Sequence, residues 1–274
     1  MVKYKSRIAD RILERKVLGK GAVLIEGPKW CGKTTTAKQM AKSVLNLGDS
    51  AVLNQSAQMI DLSPATLLEG DTPRLIDEWQ ALPPIWDSIR SEVDKRGMPS
   101  QFILTGSSVL PDADATIHSG TGRFAHVKMR TMSLYESGES NGEVSLKELF
   151  DGNTEIEGES DINIEQLAFL TCRGGWPQAI GLPDNIALDQ ATDYFEAVVK
   201  NDINRVDNVN KDEQRVRRLM RSYARNQGSQ APNTLLAKDI SNEEQSTSED
   251  TVSSYLNALR QIFVVEDMPA WNPN

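Results

Sequence analysis

At 274 residues, with 39% apolar and 25% charged side chains, the chain has material for more than one packed domain and lacks the profile of a disordered or fibrous polymer. Its net charge of −9 opposes general affinity for nucleic acid, and no apolar run approaches membrane-spanning length. Two cysteines, Cys31 and Cys172, with no Cys-x-x-Cys pair and no histidine cluster, argue against a disulfide framework and against structural zinc; together with the absence of an apolar leader after Met1–Arg7, they predict a cytoplasmic location.

Taken in chain order, residues 8–20 predict an amphipathic helix with Ile8, Ile12, Leu13 and Val17 on one side. Ala22-Val23-Leu24-Ile25 has the continuous apolar character of a buried parallel strand. The next residues, Gly27-Pro28-Lys29-Trp30-Cys31-Gly32-Lys33-Thr34, fit the phosphate-loop pattern G-x-x-x-x-G-K-[ST] at every fixed position. Ala37, Met40, Ala41, Val44 and Leu45 then recur at helical spacing. In such an arrangement the glycines let several backbone N–H groups face one hollow, and the positive end of the following helix faces it too. Residues 27–35, through Thr35, are therefore the candidate nucleotide cradle, with Lys33 reaching the β- and γ-phosphates and Thr34 ligating Mg²⁺.

Ala51-Val52-Leu53-Asn54 reads as a second strand and residues 64–68 as a short helix. In Thr72-Pro73-Arg74-Leu75-Ile76-Asp77-Glu78-Trp79-Gln80 a strand ends in two acids. Asp77 suits support of Mg²⁺ through water, and Glu78 suits either deprotonation of an attacking water or a helix N-terminus. A helix is expected over residues 85–95, then a buried strand, Phe102-Ile103-Leu104, ending in Thr105-Gly106-Ser107-Ser108. Ser107 is preferred over Thr105 and Ser108 as a polar sensor of the γ-phosphate, the alternative being a plain strand-ending turn. Arg123, before a fifth strand at residues 125–129, either reaches a neighbouring subunit's nucleotide or pairs with a carboxylate of its own chain. His118 and His126 have no ligand partners nearby in sequence.

Beyond this point the acid-rich stretch from Glu136 to Asp161 reads as a solvated connector. Gly174-Gly175 and Pro177 form either a lid over the nucleotide or a tight helix–helix turn. Helices are expected over residues 193–203, around Val216, Leu219, Met220 and Tyr223, over 235–240 and over 251–262. Arg218, Arg221 and Arg225 share a face of the second of these, as a phosphate contact or as a solvated face paired with acids such as Asp212 and Glu213. A strand at Phe263–Asp267 would complete a winged-helix pattern. Its second helix starts in acids, Glu243, Glu244, Glu249 and Asp250, and carries Arg260 as its one base, which favours a protein partner over the DNA major groove.

The succession of phosphate loop, Leu-Ile-Asp-Glu-Trp-Gln, Thr-Gly-Ser-Ser, Gly-Arg-Phe, Met132-Ser133-Leu134-Tyr135-Glu136 and Arg173-Gly174-Gly175-Trp176-Pro177 resembles a group of bacterial and archaeal AAA-superfamily ATPases with an additional-strand core. The resemblance implies an α/β fold: a five-stranded parallel sheet of order 5-1-4-3-2 flanked by helices, then a helical segment and a winged-helix-like domain. The corresponding boundaries are 1–160 for the N-terminal helix and ATPase core, 161–205 for a lid or connector and 206–274 for the winged-helix-like part. It further implies ATP and Mg²⁺ at Lys33, Thr34, Asp77 and Glu78, a sensor at Ser107 and a homo-oligomer in which Arg123 acts in trans. Members of that group usually continue into a nuclease-like domain, which is not expected here, and no nuclease activity is carried over. The expected activity is ATP hydrolysis driving a conformational change in an oligomer or partner; the alternatives are a nucleotide-dependent protein-binding switch and a DNA-associated ATPase.

Overall fold

The computed structural model describes residues 4–107, 120–206, 209–241 and 246–269; Ser108, His118, the acids Glu243 and Glu244, and Trp271–Asn274 lie outside the described residues. The chain divides into two compact units, one holding the described residues up to 106 and from 120 to 192, the other Ser107 and those from 193 onward. The segment 161–205, expected as a separate connector, is thus shared between them.

In the first unit, helix α1 (Ile8–Gly19) leads into β1 (Ala22–Glu26), the phosphate-loop segment and α2 (Lys33–Lys38). There follow β2 (Ser43–Asn46), α3 (Ser50–Leu62), α4 (Pro64–Leu67), β3 (Arg74–Asp77), α5 (Ile85–Arg96), β4 (Phe102–Gly106) and β5 (Phe124–Lys128). The short helices α6 (Leu134–Ser137) and α7 (Leu146–Phe150), then α8 (Ile164–Arg173) and most of α9 (Asp184–Ala197), complete it. The five strands are parallel in the order β2-β3-β4-β1-β5, which is the expected order read from the other edge.

Alternation along the strands sorts the core into two layers. Val23, Ile25, Leu75, Ile103 and Val127 face one side and are buried with Leu13 and Val17 of α1 and Ala37 of α2. Leu24, Ile76 and Leu104 face the other way and are equally buried. On that second face Trp86 of α5 stacks on Phe124 at 4.0 Å and meets Trp79 at 4.9 Å. Full burial of an aliphatic side chain of this size contributes about 1.5–3 kcal/mol, so these strand centres hold the sheet together. Ile8 and Ile12, assigned to the buried side of α1, remain exposed.

Two local expectations are overturned. The second strand is Ser43–Asn46, whose Val44 and Leu45 had been read as helical, whereas Ala51–Asn54 lies inside α3. Helix α2 stops after six residues, and the freed segment pairs with β3 in the register Ser43↔Arg74 to Asn46↔Asp77. Asp49 caps α3, accepting from the amides of Ala51 at 2.8 Å and Val52 at 3.2 Å, and so commits residues 51–54 to helix.

The second unit is helical among the described residues. The end of α9 passes through a π turn at Val198–Asp202 and a 3-10 turn at Ile203–Arg205, followed by α10 (Glu213–Arg225), α11 (Asn233–Ile240) and α12 (Glu249–Gln261). Val216, Leu219, Leu236, Ile240, Val252, Leu256 and Leu259 form its core. The strand expected at Phe263–Asp267 does not form. Instead Phe263, at φ +60°, donates to the Arg260 carbonyl, and Val264 donates to that of Leu259 at 2.9 Å. These are the two bonds of a Schellman cap, and the helix end takes the residues that would have made the strand. The acid partners of the α10 arginines also differ from those expected. Arg217 pairs with Glu196 and Arg225 with Asp239, while Asp212 caps the helix at the Arg215 amide.

Replacing Asp49 with Ala removes two amide acceptors at the start of α3 and should destabilise the first unit by about 1 kcal/mol. A lowered urea midpoint with unchanged slope checks this.

Candidate functional site

The parallel register brings the carboxyl ends of the strands to one edge. Asn46 lies opposite Asp77, Asp77 opposite Thr105, and Glu26 opposite Gly106 and Lys128. Ligands of open α/β sheets bind outside this edge, where the loops leave the strands. The candidate residues 27–35, Asp77, Glu78 and Ser107 all stem from it.

The loop leaves β1 at Gly27, at φ +155°, where a side chain would place Cβ 2.0 Å from the Met129 carbonyl oxygen. It re-enters helix at Gly32, at φ +103°, in the left-handed region. A Cβ there would lie 3.2 Å from Arg7 Nη1, 3.6 Å from Met129 Cε and 3.7 Å from Pro177 Cγ. The Gly174–Pro177 segment therefore does come against the phosphate loop, and the Gly175 carbonyl also accepts from the Met132 amide at 2.7 Å. Cys31 is buried within the loop, and burial pushes its thiol pKa up despite the nearby Lys33. Trp30 is exposed at φ +63°, Pro28 is buried, Lys29 half-buried and Thr35 exposed.

Lys33 is 5% exposed, and its Nζ donates to the carbonyls of Gly27 at 2.9 Å and Pro28 at 2.8 Å. Burial lowers its pKa, opposed by Cys31, Glu78 and Asp77. Thr34 Oγ1 donates to Asp77 Oδ1 at 2.7 Å, and Thr105 Oγ1 donates to the same oxygen. Thus one hydroxyl of the loop's helix and one carboxylate from β3 converge, a pair of hard oxygen donors. Glu78 follows at φ +55°, half-buried, with its carboxylate accepting from Gln80 Nε2. Ser107 is buried directly after β4, and Thr105 within that strand donates to Asp77.

Arg123 stands apart. It precedes β5, at the amino end of the sheet, where Phe124 is in register with Ala22, and so at the opposite edge from the loop. Its guanidinium pairs with Asp94 at 2.8 and 3.2 Å, and that hydrogen bond holds the Asp94 carboxyl below its ordinary pKa. His126 pairs with Glu26, and its pKa is raised chiefly by that bond. Arg260, the base singled out on α12, donates to Asp267 at 3.1 Å. Among the described residues no group of three or more His, Cys, Asp or Glu could hold a metal by itself, and no helix is long and apolar enough to cross a membrane.

Sequence reasoning missed Arg7 and the part played by Glu136. Arg7 is 7% exposed and donates to the Cys31 carbonyl. Glu136 had a readable signal, the Ser133-x-x-Glu136 capping box, which forms. An arginine ahead of an amphipathic helix carries none.

The parallel five-stranded sheet and the loop between β1 and α2 together have the form of a P-loop α/β core. Residues 19–138 match a family model described as an AAA domain, and residues 164–274 match one described as a domain of unknown function, DUF8612. The uncharacterized proteins Rv2008c of Mycobacterium tuberculosis and Mb2031c of Mycobacterium bovis are each 28% identical over 135 residues, 49% of this chain and 30% of theirs. The chain thus spans about a third of the length of the curated relatives it matches. The structure of C. elegans PCH-2 superposes with a TM-score of 0.30 and 13% identity, over 92% of this chain and 65% of that one.

Gly32→Ala forces an L residue into the left-handed region at about 1–2 kcal/mol and crowds Arg7. The variant should melt earlier than wild type and bind nucleotide more weakly, as thermal melting with and without ATP would show.

Proposed function

We propose that the chain binds ATP with Mg²⁺ and hydrolyses the phosphoanhydride bond, coupling turnover to a conformational change in an oligomer or partner. The observation that carries this reading is the Thr34–Asp77 contact, which joins the helix after the phosphate loop to the end of β3, with Glu78 next in sequence. The match of residues 19–138 to an AAA domain supports the same class.

The donor chemistry fits the cation. Thr34 Oγ1 and the Asp77 carboxylate are the hard oxygen ligands that Mg²⁺ takes when phosphates and water supply the rest. The cation, when bound, offsets phosphate charge. Lys33 exchanges its loop carbonyls for phosphate oxygens, and its low hydration in the buried site strengthens that contact. Thr105 orients the Asp77 carboxylate. Glu78 accepts the proton of the attacking water. Ser107 reads the γ-phosphate from the end of β4. Arg123 supplies charge to a neighbouring subunit's nucleotide once it leaves Asp94, which requires a homo-oligomer.

A second reading, a nucleotide-dependent switch with little turnover, is favoured by the Gln80 bond, which occupies one oxygen of the Glu78 carboxylate. Its output would be a protein contact made by the helical second unit. A cytoplasmic setting suits either reading.

Steady-state phosphate release separates them. Wild type should hydrolyse ATP. Lys33→Ala should lose ATP affinity, and Glu78→Gln should bind ATP while turnover falls by about 10²–10⁴-fold. Wild-type binding with turnover no faster than Glu78→Gln would leave the switch. Arg123→Ala mixed with Glu78→Gln should regain part of the activity each lacks if Arg123 acts between subunits. No recovery in a mixed oligomer would confine Arg123 to its own chain.

A further inference from the structure

The phosphate loop is gripped from behind by a residue outside the segment that matches the AAA domain. Arg7 is buried, and each of its three guanidinium nitrogens has a partner. Nη1 donates to the Cys31 carbonyl at 2.8 Å, Nη2 to the Arg130 carbonyl at 2.8 Å, and Nε to Glu136 Oε1 at 3.0 Å. Glu136 is itself committed: it accepts from the Ile8 amide at 2.7 Å and the Ser133 amide at 2.8 Å. Burial alone would raise its carboxyl pKa, but these amides and the Arg7 charge outweigh it and hold the carboxyl below the usual range. The arm ahead of α1 is fixed at two further points. The Arg7 amide donates to Asp10 at 2.8 Å, and Tyr4 Oη contacts Asp10 at 2.6 Å and Thr36 Oγ1 of α2 at 3.0 Å.

The consequence for the loop follows from peptide planarity. The Cys31 carbonyl and the Gly32 N–H belong to one rigid unit and point in opposite directions. A donor that fixes the carbonyl on one side fixes the direction of the N–H on the other. Gly32 is in the left-handed region, where a nest of N–H groups is built, and its lack of a side chain is what lets the Arg7 guanidinium lie close behind it: an added Cβ would sit 3.2 Å from Nη1. Lys33 performs the matching task on the Gly27 and Pro28 carbonyls at the start of the loop, but it must leave them to meet phosphate. Arg7 has no such second duty.

We infer that Arg7 is a positioning residue for the phosphate loop, presetting the Gly32 N–H for nucleotide phosphate, and that Glu136 holds Arg7 in place. This rests on the reading of the loop as an ATP site. Arginine suits the position because its planar fork presents three separate nitrogens, one each to two carbonyls and a carboxylate, where an ammonium has a single nitrogen from which to reach all three.

The test is ATP affinity by calorimetry on wild type, Lys33→Ala, Arg7→Ala, Arg7→Lys and Glu136→Gln, each below its own melting transition measured without nucleotide. Arg7→Ala should raise the Kd for ATP about 10- to 100-fold, the equivalent of one lost charge-assisted hydrogen bond. Arg7→Lys and Glu136→Gln should raise it about 3- to 30-fold with the protein still folded. Should Arg7→Ala fail to fold, those two decide. If wild type binds, Lys33→Ala does not, and folded Arg7→Lys and Glu136→Gln both bind as tightly as wild type, Arg7 is a structural ion pair and the inference is overturned alone. If wild type binds no ATP, or Lys33→Ala binds it unchanged, the ATP site is overturned and this inference with it.

Discussion

The hydrogen bond from Thr34 to Asp77 is the contact on which the candidate site depends, because it joins two pieces of chain that only the sheet brings together. Asp77 ends β3, and Thr34 begins the helix that follows the loop from β1. Strand β4 lies between β3 and β1, so the parallel register across three strands decides where the carboxylate stands relative to the hydroxyl. Thr105, opposite Asp77 on that intervening strand, donates to the same oxygen. A slip of one residue in either pairing would turn Asp77 or Thr105 to the other face. Burial of Ile76 and Leu104 on one face, and of Leu75 and Ile103 on the other, sets a high cost on such a slip.

Cations beside the loop are handled by one rule: each is buried only where carbonyl or carboxylate oxygens satisfy it. Lys33 faces Gly27 and Pro28, and Arg7 faces Cys31, Arg130 and Glu136. Unpaired, either charge would be costly to desolvate. The pairing stabilises the loop's curvature as well, since carbonyls held outward leave amides directed inward. Lys33 and Arg7 divide this work. The lysine's point charge can move to a phosphate, whereas the arginine's fork is locked by planar geometry.

The second unit is a helical body with its own core, and two of the α10 arginines are paired with acids. Arg217 engages Glu196 and lies over the Phe195 ring, and Arg225 engages Asp239. Arg225, one of the three arginines on the shared face, is thereby occupied, and the acidic net charge opposes general affinity for nucleic acid. The absence of a strand at Phe263–Asp267 among the described residues has a local cause, the left-handed Phe263 and its cap, so apolar residues after a helix served to end it.

Much of this was determined by the sequence itself. The fixed positions of the loop, the apolar strand centres and the acids closing β3 are local signals, and each marks one element and its end. The capping box at Ser133 and Glu136 is equally local. Only the tertiary structure decided three other matters. Val44 and Leu45 became a strand because β3 offered an edge to pair with, although their spacing suited a helix. Thr105 met Asp77 because strand register selects the partner, and register is set by the packing of both sheet faces. Arg7 reached Cys31 and Glu136 because α1 packs beside the loop; no pattern over a few residues encodes a contact spanning more than a hundred, since burial and charge pairing act on positions in space.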